Sequence, residues 1–169
     1  YLNTWPMQGK FAVGEYFDGD LNKLKGWISA TGNRCSAFDF TTRYALRDMC
    51  NGSGSWDMSG LDHVGLQGSM PFNAVTFVEN HDTDAHDPVL NNKALAYAFI
   101  LTAEGYPCVY YRDYLPAAEG GYGLTDRIGR LVWIHEKIAW GATDTRWKDA
   151  NLFAFERQGG NGRAPLLVA

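Results

Sequence analysis

Four times along the chain a short apolar run is followed by a segment whose apolar residues recur at helical spacing. Phe11–Phe17 is the first strand candidate; Asp20 then stands where it can cap a helix carrying Leu21, Leu24 and Ile28 on one face and ending at Gly32. Cys35–Phe40 is the second strand, followed by a short helix capped by Thr41 or Thr42 and carrying Ala45, Leu46 and Met49. A Gly/Ser-rich loop over Asn51–Gly60 leads to the third strand, Ala74–Val78. A helix over Asn92–Glu104 is closed by Gly105 and Pro107 as stop signals. Pro107–Tyr111 is the fourth strand, and a last helix starts near Thr125, spaces Ile128, Leu131, Val132, His135 and Ile138 along one side, and stops at Gly141. β-then-α units in series predict an α/β fold, a parallel sheet with helices outside it.

After Gly141 the rhythm changes. Asn151–Arg157, the turn Gly159-Gly160-Asn161-Gly162 and Leu166–Val168 read as an antiparallel hairpin. A hydrophobic share of 46% suffices for a real core, while a net charge of −4 gives no footprint for nucleic acid or an anionic membrane. The apolar runs are too short and too interrupted to cross a membrane. Three cysteines without C-x-x-C spacing indicate neither a zinc site nor a disulfide framework, and Cys108, inside an apolar run, is expected to be a buried small residue. Aromatic residues stand out at 14%, with six tryptophans, a supply that suits both a core and stacking on sugar rings. Tyr1–Trp5 reads as the tail of an element already under way rather than as a signal peptide.

Polar residues gather where the expected parallel strands end, the edge at which β/α barrels build active sites. Glu15 closes the first strand, Glu79-Asn80-His81-Asp82-Thr83 the third, and Arg112-Asp113-Tyr114 the fourth. A lone acid at a strand end most often caps a helix or is simply solvated. Three strand ends doing the same, interleaved with aromatics, point to a site, and glycoside hydrolysis is the chemistry that needs one acid to protonate the leaving oxygen and a second carboxylate across the bond.

These same residues carry a family resemblance. Phe11–Phe17 resembles the fifth barrel strand of the α-amylases, Ser36–Phe40 the sixth, Phe77-Val78-Glu79-Asn80-His81-Asp82-Thr83 the seventh, and Ala103–Tyr114 the approach to and exit from the eighth. The motifs run in the family's order across essentially the whole chain. The resemblance implies half of a (β/α)8 TIM barrel over residues 1–143 and the beginning of an antiparallel β domain over 144–169. It implies Glu15 as general acid/base, Asp82 as stabiliser of the oxocarbenium-like transition state, and His81, Asn80 and the aromatic Phe17 as substrate-binding residues. Glu79 is expected to point into the barrel wall, Asp18 and Asp20 to be loop and cap residues, and His63, His86 and His135 to be structural or solvated.

The implied activity is retaining hydrolysis of α-1,4-glucosidic bonds in starch or malto-oligosaccharides. Transglycosylation by the same double displacement and a non-catalytic, glucan-binding product are the alternatives. The family's nucleophilic Asp lies in its fourth-strand motif, expected upstream of Tyr1, whose first followers match only the helix after that strand. Calcium is possible by resemblance, without an identifiable ligand set, and an extracellular location is what the family favours. A half barrel with two open strand edges is expected to form a homodimer or larger assembly. In such a closed pair the partner's Asp113 is the acid nearest the vacant nucleophile position, the alternative being that Asp113 orders its own loop.

Overall fold

A computed structural model describes residues 1–169. Strands β1 (Val13–Gly14), β2 (Ser36–Phe38) and β3 (Ala74–Val75) lie side by side in that order, all parallel, with Val13 opposite Ser36, Ala37 opposite Ala74 and Phe38 opposite Val75. A fourth parallel segment follows. Tyr106 N–H donates to Ala74 O (2.9 Å), Thr76 N–H to Tyr106 O (3.1 Å) and Cys108 N–H to Thr76 O (2.7 Å), and Phe77 bridges to Cys108. The expected strands are therefore present in the expected order, although regular pairing covers only two or three residues of each named strand. Cys108 is half-buried rather than buried, because its segment is the last in the sheet and has no neighbour on its outer side.

The first strand run alternates as a two-faced strand should. Phe11, Val13, Glu15 and Phe17 are exposed on one face, while Ala12, Gly14 and Tyr16 are partly covered on the other. On the covered face, helix α1 (Leu21–Ala30) comes so close that a Cβ on Gly14 would stand 2.5 Å from the Trp27 ring. Asp20 caps this helix, its carboxylate accepting from the N–H groups of Asn22 (2.8 Å) and Lys23 (3.4 Å), and Asp18 pairs with Lys23 (2.8 Å). Leu24 and Ile28 are fully buried against Ala37, Leu66 and Ala74, a gain of about 1.5–3 kcal/mol for each large side chain.

Helix α2 (Phe40–Asn51) starts earlier than expected. Its cap is Asp39, not Thr41 or Thr42, because the Asp39 carboxylate is already fully buried at the strand end and fills four acceptor roles there. It accepts from Thr42 N–H (2.9 Å), Thr42 Oγ1 (2.6 Å), Leu66 N–H (3.2 Å) and Gln67 N–H (2.7 Å). Two short helices interrupt the expected loops, α3 (His81–His86) after β3 and, beyond α4 (Lys93–Thr102), α5 (Tyr111–Tyr114). Residues 1–9 form successive turns rather than the end of a helix.

The larger core joins α2, α4, α6 (Thr125–Lys137) and the C-terminal sheet. Leu46, Met49, Tyr97, Ile100, Leu101 and Ile128 share one buried cluster with Phe153 and Phe155. That sheet has three antiparallel strands, β4 (Thr143–Lys148), β5 (Phe153–Arg157) and β6 (Leu166–Val168), in the order β4-β5-β6. The expected hairpin is β5–β6. The additional strand β4 reads Thr-Asp-Thr-Arg-Trp-Lys, mostly solvated and without an apolar face to announce it. Arg157 pins the sheet to the end of α4 by donating to Thr102 O (2.6 Å) and Ala103 O (2.8 Å).

Candidate active site

The site is built on the turn from β3 into α3. Asn80 is extended, and its Oδ1 accepts from the N–H groups of Asp82 (3.0 Å) and Thr83 (2.8 Å). Thr83 Oγ1 in return accepts from Asn80 N–H (2.9 Å), closing a reciprocal capping box. His81 and Asp82 thereby become the first two residues of a helix. The other end of the Asn80 carboxamide, Nδ2, donates to Glu15 Oε1 at 3.1 Å. One side chain thus links the Glu15 carboxylate to the backbone that carries Asp82.

His81 Nε2 lies 3.5 Å from Asp82 Oδ2, with 78% and 48% of the two side chains open to solvent. Phe17, two residues beyond Glu15 on the same face, is 56% exposed. Its ring centroid is 4.4 Å from that of Phe40, which meets Phe77 edge-on at 5.0 Å, so the exposed ring rests on a buried aromatic stack. Glu15 is thus joined to Asn80, whose chain neighbours are His81 and Asp82, and Phe17 lies on the same face of its strand as Glu15.

Under this surface two acids of the strand-end motifs, Glu79 and Asp113, meet cations that those motifs do not reveal. Glu79 is buried, as expected for a wall residue, and accepts from Arg43 Nη2 (3.0 Å) and Thr83 Oγ1 (2.7 Å). Lys93 Nζ stands 3.6 Å from Glu79 and 2.7 Å from Asp113, and Asp113 also accepts from Tyr97 OH (2.6 Å). Asp113 is fully buried, and that burial pushes its carboxyl above the usual range despite Lys93 and Tyr97. It orders the loop after the fourth strand, and both of its oxygens are engaged within its own chain, by Lys93 and Tyr97, so it is not free to act as a nucleophile. Asp84 ties the same loop to α3, accepting from Arg112 Nη1 (2.7 Å) and Tyr122 OH (2.8 Å). The missed signal was Arg43 itself, a charge three residues from both Phe40 and Leu46 on the core face of α2.

No three His, Cys, Asp or Glu side chains gather as a metal-ligand set, and Glu79, Asp84 and Asp113 are each held by a cation. Glu15 is exposed at the end of its strand, and the Asp82 side chain is about half open to solvent. A groove of about 680 Å³, lined by Phe72, Tyr106, Trp140 and Arg163, sits where the strands begin rather than where they end. No helix is long and apolar enough to cross a membrane.

No family-wide sequence profile matches the chain. Individual relatives do. The chain is 34% identical to an α-amylase of Geobacillus stearothermophilus over 94% of its own length and 31% of the relative's. It is 30% identical to a glucan 1,4-α-maltohexaosidase of Bacillus sp. (strain 707) over 88% of its length and 30% of that enzyme's. Among solved structures, the γ-cyclomaltodextrin glucanotransferase (CGTase) of the alkalophilic Bacillus clarkii superposes with a TM-score of 0.67 at 22% identity, over 88% of this chain and 26% of that one, a likeness of fold. The chain spans about a third of the length of the curated relatives it matches. With the strand-end motifs in order and the fold in agreement, the chain belongs to the α-amylase family of glycoside hydrolases.

Proposed function

We propose that Glu15 and Asp82 are the two acids of a site that cleaves α-1,4-glucosidic bonds in starch and related glucans. The observation that carries this reading is the Asn80 carboxamide, which ties Glu15 to the first turn of the helix bearing His81 and Asp82. Glu15, exposed at the end of its strand, is placed to protonate the leaving oxygen, and Asp82 to stabilise positive charge on the sugar ring. His81 offers ring nitrogens to sugar hydroxyls, Phe17 a face for stacking, and Asn80 the second N–H of its Nδ2. A retaining double displacement also needs a nucleophilic carboxylate about 5 Å from the acid. Asp18, Glu79, Asp84 and Asp113 are each engaged by a cation, so that role falls outside the acids paired here. Those pairings favour a second reading, glucan binding without turnover.

The scaffold we infer is half of a (β/α)8 barrel over residues 1–143, with 144–169 opening a β domain. In support, the Phe11 and Tyr106 rings, from the two outer segments of the sheet, approach to 5.1 Å. Flat, four strands would hold such side chains parallel and roughly 14 Å apart, so the shared face is concave. Closure of the concave face by a second copy is the assembly this geometry favours.

The decisive measurement is reducing sugar released from soluble starch by the purified chain. Glu15→Gln and Asp82→Asn are each expected to cut turnover by ~10²–10⁴-fold. Activity unchanged in both variants would overturn the assignment. An inert wild type that still binds maltoheptaose calorimetrically would favour the binding reading, and product chain lengths separate hydrolysis from glucanosyl transfer.

A further inference from the structure

Two fully buried charges, Arg43 and Glu79, lie beneath the site and touch none of the groups assigned to the reaction. Burying an ion pair returns little stability by itself, and it persists where its hydrogen bonds are filled and its placement specifies something. Both conditions hold here. One Glu79 oxygen accepts from Arg43 and Thr83, while the other faces Val89 N–H and Lys93. Arg43 is itself fixed by Val78 O (3.2 Å) and Asp87 (2.8 Å).

A threonine hydroxyl has one proton. Because Thr83 spends it on Glu79, its lone pairs are left to accept from Asn80 N–H. With its backbone N–H held by Thr83, Asn80 turns its carboxamide Oδ1 to the backbone N–H groups of Asp82 and Thr83, which can only donate, and so its Nδ2 to Glu15. We infer that Glu79 and Thr83 are positioning residues: the buried carboxylate orients the Thr83 hydroxyl, which sets Asn80, which holds Glu15. The inference rests on reading Glu15 as the reacting acid, but the geometry can be tested without turnover.

The probe is the side-chain amide resonance of Asn80 in the full chain, and the readout is its displacement by Glu15→Gln. That displacement is expected in the otherwise wild-type chain, to persist with Thr83→Ser, and to be lost with Thr83→Val. Its survival in Thr83→Val, with a wild-type melting curve, overturns the inference, as does its loss in Thr83→Ser. Hydrogen exchange of the Asn80 backbone amide in the wild type needs no variant: protection supports the relay and solvent-rate exchange overturns it. If the chain cleaves starch, Thr83→Val should lower kcat on the order of 10²-fold with KM unchanged, the signature of a misplaced acid. An unchanged kcat overturns the inference. An inert wild type with the expected amide behaviour counts against the catalytic reading alone.

Discussion

Asp87 shows how a single side chain here couples charge to the stability of the site. It follows α3 and pairs with Arg43 (2.8 Å) and with Arg47. Burial opposes its ionisation more than any other single effect, but hydrogen bonds from Arg47 and Arg43 together outweigh that and hold the carboxyl below its ordinary 3.8. A depressed carboxyl stabilises the fold above its unfolded pKa and loses that contribution as pH falls through the folded one. Wild type should therefore melt above Asp87→Asn at pH 7, and the gap should close as pH drops below about 4. A gap independent of pH would show that the two arginines leave this carboxylate unperturbed. At the same scale, Glu15, Asn80, His81 and Asp82 were legible in the sequence because each sits inside a contiguous motif. Arg43 and Lys93 were not, since their acidic partners stand 14 to 44 residues away and only folding brings the charges together.

Among the elements, the junction of β2, α2 and the loop over 62–70 depends most on one acceptor. Asp39 caps α2 and also receives Leu66 and Gln67, so Asp39→Ala leaves buried N–H groups unpaired. The expected cost in denaturant unfolding is about 3 kcal/mol, compounded of a lost cap and orphaned donors. Gly65→Ala attacks the same junction from the other side. Gly65 has φ +60°, and an added Cβ would stand 2.2 Å from Thr42 Oγ1, so a loss on the order of 3 kcal/mol is expected from strain and overpacking together. Stabilities within 1 kcal/mol of wild type for both variants, on the scale of ordinary surface substitutions, would remove Asp39 as the organiser of this corner. A cap at Thr41 or Thr42 was the natural reading of local spacing. It fails because a carboxylate with four donors converging on it outcompetes a hydroxyl.

For the whole molecule, one face of the parallel sheet is left open. Phe11, Val13, Phe17 and Tyr106 remain exposed there, and neither β1 nor the segment around Cys108 has a partner on its outer side. Exposed strand edges and clustered apolar residues favour association. Light scattering at micromolar concentration is expected to give a dimer or larger species, and Val13→Lys, which places a charge on the open edge, should shift it towards monomer. A monodisperse wild-type monomer with a cooperative thermal transition would count decisively against closure by a second copy.

The sequence by itself determined the order and kind of the four β-then-α units, because periodicity, caps and stop signals act over a few residues and recur four times in the same sense. It also determined the family, since the acid-bearing motifs are short and uninterrupted. Tertiary structure alone decided the short pairing of each strand and the recruitment of Thr143–Lys148 as a third strand of the C-terminal sheet. It also decided that Asp113 is buried on Lys93 and Tyr97 while Glu15 stays open on Asn80. A carboxylate's chemistry depends on which cations and donors reach it and how much water is left beside it, and those neighbours come from residues 16 to 65 positions away.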